Sequence, residues 1–223
     1  MALSSRERGG LVELVLHGDL LDPWCWIAER RITAAAEELH GLFMPVTHAP
    51  LPRRWEACAP SRAERRGLAR ELQRAAKEPG APPFSTELWT AASGPFTSAP
   101  PHVAIAAARL QGGAHADALR DALRGAALLS GVDVTRPDVI VEIAARAGLD
   151  LARFVPAFHA PATERTLRAE VEEACELGVR AGPSLVVGED WLVSGLRSVR
   201  DYRTVLKRYV SRGARAPAEH TVH

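Results

Sequence analysis

The spacing of apolar positions alternates between strand-like and helical along this chain. Leu11–His17 is a short, nearly continuous apolar run closed by Gly18, which predicts a buried β-strand. From Pro23 to His40 the spacing becomes helical. Asp22 is placed to cap that helix, Pro23 suits its first position and Gly41 stops it. Leu42–His48 predicts a second strand, with Pro45 marking a sheet edge or an irregularity. A β-α-β opening of this kind favours a parallel pair joined by a crossover helix.

The middle of the chain changes character. Ser61–Glu78 predicts a charged helix, and a Pro-, Ser- and Gly-rich stretch follows to Pro101. Helical runs are expected at His102–Leu110, His115–Leu129, Pro137–Ala147 and Leu151–Phe158. The last third returns to mixed structure. Thr163–Leu177 predicts a helix ended by Gly178. Ser184–Val187 and Trp191–Val193 predict a hairpin turning at Gly188-Glu189-Asp190, and Ser198–Val210 a closing helix.

Composition narrows the function classes. Apolar residues make up 47% and charged residues 25%, ordinary for a globular chain. The formal net charge of +1 argues against a nucleic-acid or membrane-binding surface. No apolar run approaches a bilayer-spanning length, and the first ten residues lack the apolar core of a signal peptide, so a cytoplasmic location is expected. Three widely spaced cysteines, Cys25, Cys58 and Cys175, do not suggest a disulfide framework.

The strand-to-helix join carries the candidate chemistry. It reads Asp19-Leu20-Leu21-Asp22-Pro23-Trp24-Cys25-Trp26-Ile27-Ala28. Near the other end stands Gly178-Val179-Arg180-Ala181-Gly182-Pro183-Ser184-Leu185-Val186, then Ser194-Gly195. Together these resemble the DsbA superfamily, in the branch holding FrnE-type oxidoreductases, 2-hydroxychromene-2-carboxylate isomerases and kappa-class glutathione transferases. The FrnE-type pattern is D-x-x-C-P-W-C-Y-I-G; the kappa and isomerase pattern is D-x-x-S-P-Y-S-W-L-G-x-E, of which Asp19, Pro23, Trp26 and Glu29 match. Thr97–His102 is similar to a segment that often reads N-T-x-x-A-H in these families. The resemblance implies an α/β thioredoxin-like fold with an inserted all-helical subdomain. Residues 11–58 and 162–210 would form the two halves of the thioredoxin-like domain and 59–161 the helical insertion, with 1–10 and 211–223 as flexible tails.

In the ungapped register Asp22 stands where the superfamily has its first cysteine or serine, and Cys25 where it has the second. In a register with a two-residue deletion, Cys25 is instead the attacking cysteine. A first cysteine becomes a thiolate at the helix N-terminus and the second resolves the mixed disulfide. A lone Cys25 has nothing to resolve, and a neighbouring Asp22 carboxylate disfavours its thiolate. Asp22 also reads simply as an N-cap, and Cys25 as a small core residue.

By resemblance, Pro183 is the family's cis-proline. The cofactor-binding set is Pro23, Trp24, Gly182, Pro183 and Ser184, and Trp26 and His102 belong to a substrate pocket. The implied cofactor is glutathione or another small thiol, the substrate a small electrophilic or aromatic molecule, and the assembly a homodimer. Three functions stay open: a thiol-dependent oxidoreductase, isomerase or transferase without the dithiol; one-cysteine thiol–disulfide exchange at Cys25; and a non-catalytic binding or scaffolding protein. His48, His102 and His159 lack the spacing of a metal motif. Arg53, Arg54, Arg62, Arg65, Arg66 and Arg70 form a basic cluster interleaved with Glu64 and Glu71, either a solvated face or an attractor for anions.

Overall fold

Strand β1 (Val12–Gly18) alternates its burial so that Leu14 and Leu16 face one side of a sheet and Val15 and His17 the other. The computed structural model describes residues 11–56, 58–90 and 97–213. β1 runs parallel to β2 (Phe43–Pro50) and antiparallel to β3 (Ser184–Val187), and β3 pairs with β4 (Trp191–Ser194) as a hairpin, giving the order β2-β1-β3-β4. The crossover between β1 and β2 is α1 (Pro23–Glu37). β2 lies at the sheet edge, and its register slips by one residue across the stretch that holds Pro45, so Pro45 marks both an edge and a bulge. Its strand also runs two residues further than the sequence indicates, through Ala49 and Pro50.

Helices cover both faces. Ala28, Ile32 and Ala35 of α1 recur at helical spacing and pack on Leu14, Leu16, Leu185 and Val187, together with Tyr202 and Leu206 of α9 (Val199–Gly213). The opposite face is covered through Ala174 and Val171 of α8 (Pro161–Glu176), which meet Val15, Val186, Val179 and Leu51. Between β2 and α8 the elements among the described residues are all helices: α2 (Arg62–Ala75), α3 (Glu87–Thr90), α4 (Ala99–Arg109), α5 (Gly113–Ser130), α6 (Pro137–Arg146) and α7 (Leu151–His159). These helices enclose a second core of leucine, alanine and phenylalanine that reaches Leu20 and Leu21 ahead of α1. The fold is therefore a thioredoxin-like α/β sheet with an inserted helical region.

Several boundaries differ from the sequence reading. α4 starts at Ala99, not at His102, because Pro100 and Pro101 occupy first-turn positions that need no N–H donor; His102 is the fourth helical residue. The Pro-rich stretch contains the one-turn helix α3. α2 is held at its start by a capping box between Ser61 and Glu64 and ends three residues short of Glu78. α9 continues through Gly213, so residues 211–213 belong to the helix rather than to a tail, and the rest of both expected tails lies outside the described residues. The β3–β4 turn at Gly188-Glu189-Asp190 is as expected. Gly188 has φ +60°, and a Cβ there would fall 1.8 Å from the Tyr209 hydroxyl of α9, so only glycine fits.

Candidate active site

Asp22 caps α1 with extended backbone at φ −95° and ψ 112°, its Oδ1 accepting from the Trp24 N–H at 2.9 Å. Its other oxygen lies 3.5 Å from Arg53 Nη1, which is the same distance from Glu71 Oε2. Asp22 is only 4% exposed. Burial pushes its carboxyl up to about 6; Asp19 and Glu71 add to the rise, while Arg53 and the Trp24 N–H oppose it. A carboxyl with this value is part-ionised in the neutral range, which an ordinary N-cap aspartate is not.

Cys25 is one turn further in, buried, and tightly enclosed. A Cβ built on Gly18 of β1 would fall 2.6 Å from its Sγ, and one on Gly182 would fall 3.0 Å from it. The two glycines make the space the sulfur occupies. The Gly182–Pro183 bond is cis, which brings Gly182 beside β1 and the first turn of α1. Burial first, and the Asp22 charge second, raise the Cys25 thiol well above its usual range. Gly18→Ala is expected to cost about 1–3 kcal/mol by overpacking. Most of that loss should disappear in a Gly18→Ala/Cys25→Ala double variant, as read by urea denaturation, because the second change removes the clashing sulfur.

Asp19 fastens the loop before α1 to two other segments. Its carboxylate accepts from the Leu21 N–H at 2.8 Å, the Arg53 N–H at 2.6 Å and the Ser98 hydroxyl at 2.5 Å. His102 Nε2 lies 3.2 Å from the Leu20 nitrogen and 3.8 Å from Asp19. Burial alone would raise the Asp19 pKa; His102, the Arg53 N–H and Ser98 outweigh it and hold the carboxylate below its ordinary value. Arg53, which faces Asp22, is positioned by this fastening.

A second ionic group lies along α1. Glu29 is hydrogen-bonded to Arg124 Nη1 of α5 and lies 3.0 Å from His48 Nε2 of β2. Arg124 also binds Asp121 at 2.9 Å and stacks 4.5 Å from the Trp26 ring centroid. Burial would raise the Glu29 carboxyl, but the His48 and Arg124 contacts bring it down to about 2.

Two cavities flank this site. One of about 40 Å³ is lined by Cys25, Trp26 and His102, so the expected pocket residues Trp26 and His102 do meet at Cys25. The other, about 330 Å³, is open on the Arg53 side and takes its walls from Leu21, Arg54, Leu68, Glu71 and Trp89. Pro23, Trp24, Gly182, Pro183 and Ser184 line neither. Trp24 is half-buried, and the Ser184 hydroxyl is turned to its own loop, donating to the Ala181 carbonyl at 2.7 Å. Ala181 and Gly182 stay outside the strand ladder, which begins at Ser184. Cys58 is exposed and Cys175 half-buried, and all three cysteines are free. Among the described residues no cluster of three or more His, Cys, Asp or Glu side chains has the arrangement of a metal site.

A family model for the DSBA-like thioredoxin domain matches residues 13–207. The chain belongs to the DsbA-like thioredoxin family. Its fold is shared with a putative protein disulfide isomerase from Nitrosomonas europaea, at TM-score 0.77 and 18% identity over 91% of this chain and 98% of that one. The cytosolic disulfide reductase DsbM from Pseudomonas aeruginosa superposes with TM-score 0.67 and 25% identity, covering 90% and 99%. A structure of DsbM with GSH gives 0.65 and 26%, covering 89% and 99%. The ClpXP adapter protein SpxH of Halalkalibacterium halodurans is 31% identical over 109 residues, or 48% of this chain, and the match spans about a third (35%) of that protein's length. No helix among the described residues of this DsbA-like protein is long and apolar enough to cross a membrane.

The motif reading did not place Arg53, Ser98, His48 or Arg124 at the site. Arg124 carries a readable signal: it occupies a core-facing position of α5, among Leu119, Leu123, Ala127 and Leu128. Arg53 stands in the basic cluster and Ser98 in the Thr97–His102 segment, but their contacts with Asp19 are long-range and have no local signal.

Proposed function

We propose that this DsbA-like protein is a thiol-dependent enzyme in which Asp22 holds the working position at the N-terminus of α1 and the reacting sulfur arrives on a small thiol such as glutathione. The carrying observation is the Asp22 carboxyl, buried at a helix N-terminus and raised to about 6, next to a cysteine whose thiol is kept protonated by burial and the Asp22 charge. This reading places the chain in the FrnE, isomerase and kappa-transferase branch, with Asp22 standing for the first cysteine or serine. The DsbM structure with GSH, 26% identical, supports a glutathione-type cofactor. In this scheme the Asp22 carboxylate accepts the thiol proton as the sulfur attacks a small electrophile. The resulting carboxylic acid then returns the proton to the product or leaving group, so no net proton or electron is gained by the enzyme. The cofactor's peptide backbone lies along the Ala181–Gly182 segment, which is outside the ladder. The guanidinium of Arg53, about half exposed, attracts its carboxylates.

The test is conjugation of a chlorodinitrobenzene by reduced glutathione across acid to neutral pH. With Asp22 as base, kcat/KM should rise about tenfold per pH unit below about 6 and level off above it. Asp22→Asn keeps the cap and should lower kcat by about a hundredfold, whereas Cys25→Ser should change it less than about fivefold. A Cys25→Ser variant that loses activity, beside an active Asp22→Asn variant, would overturn the reading.

A further inference from the structure

Behind the first turn of α1, where the sheet meets the helical layer, lies the cavity of about 40 Å³. Its walls come from the ends of β1 and β2, from α1, and from α4 and α5. The cationic residues Arg109, Arg120 and Arg124 line it with His48, against the single carboxylate of Asp19 among its described wall residues. Leu16, Trp26 and Ile105 supply apolar surface. Arg109 and Arg120 are engaged by acidic neighbours, Glu170 and Asp117, at 2.8 and 2.7 Å. Arg124 is different. It is 7% exposed, its two terminal nitrogens go to Glu29 and Asp121, and its Nε is buried without an acceptor. His48 Nε2 is buried too, and its partner is Glu29 Oε1 at 3.0 Å. Glu29 draws both groups together, one to each of its oxygens.

A buried donor left without an acceptor costs about 1–3 kcal/mol, so the Arg124 Nε–H points to an acceptor that the protein does not itself supply. The cationic surroundings favour an anion over a neutral acceptor. The volume has room for about three water-sized atoms, the size of a carboxylate head. The apolar wall suits a short carbon body behind the charge. We infer that this cavity binds a carboxylate through Arg124 Nε, either a free small acid or the acid end of a longer substrate. The site is separate from the Asp22 carboxyl, and its occupancy does not depend on the Asp22 chemistry.

Calorimetric titration of the full chain with sodium acetate tests this, with acetamide and sodium chloride at matched ionic strength as comparisons. Acetate is expected to bind one to one, and acetamide and chloride at least about tenfold more weakly. Two variants check the location. Ile105→Phe fills the cavity with its charges intact, and Glu29→Gln/Arg124→Met removes the donor while keeping local charge balanced; each should weaken acetate at least about tenfold. Affinity that rises from acetate to hexanoate marks the acid end of a longer molecule, and affinity that falls marks a free small acid. The inference is overturned if acetate does not bind, if acetamide or chloride binds equally well, or if both folded variants keep the wild-type affinity, in which case water alone satisfies Arg124 Nε.

Discussion

Glu29→Ala is expected to lower stability by about 3–5 kcal/mol, the cost of leaving a buried charge without its partner. The loss arises because Arg124 stays between α1 and α5, stacked on Trp26, with Asp121 as its remaining acidic contact. Arg124→Met should cost a similar amount by stranding Glu29 beside His48. A Glu29→Leu/Arg124→Met double variant should lose less than either single change, because an apolar pair of similar volume carries no desolvation penalty. Urea denaturation of the four proteins measures this; single losses below about 1 kcal/mol would show the pair to be dispensable. The pH dependence has a definite sign. The native Glu29 carboxyl is lowered to about 2 from 4.5, so its contribution is full above 4.5 and fades as pH falls towards 2.

Asp22 acts in the opposite direction. Its carboxyl is raised to about 6 in the folded chain from an ordinary 3.8, so between those values the native state binds more protons than the unfolded one. Stability from this group is therefore greatest below 3.8 and declines as pH rises to about 6, by roughly 3 kcal/mol in all. Asp22→Asn removes the titration and keeps the cap. The variant should match the wild type near the acid end and exceed it by up to about 3 kcal/mol at neutral pH, read as urea midpoints across the range. Equal destabilisation at both ends would mean that the carboxylate is structural. A residue that weakens the fold at neutral pH and is nonetheless present is what a working carboxyl looks like.

The fold was legible because its signals are local. Asp22-Pro23 and Gly41 bracket α1, the Gly188 turn defines the hairpin, and the two end motifs stand on the elements that the pattern predicts. The start of α4 was misplaced because Pro100 and Pro101 look like a loop in a string of prolines, although both are compatible with a first helical turn. The site was legible only along one strand-to-helix join. Asp22, Cys25 and Trp26 were visible there and His102 in the Thr97–His102 segment, whereas the contacts of Arg53 and Ser98 with Asp19 span 34 and 79 residues. The enclosure of Cys25 also depends on a distant element. In sequence Gly182 is only the residue before Pro183, and its role as space for a sulfur appears only once β1 and the Pro183 loop are side by side.

The central claim is that the working group at this helix terminus is a carboxyl and that Cys25 is not a nucleophile. Its most direct test is the alkylation rate of each cysteine against pH in the native chain, resolved by peptide mass. Cys58, exposed, should react in the native state, and Cys25 should stay slow into the alkaline range until denaturant is added. Fast alkylation of native Cys25, with an apparent pKa well below about 8.5, would contradict the account and identify it as the attacking thiolate.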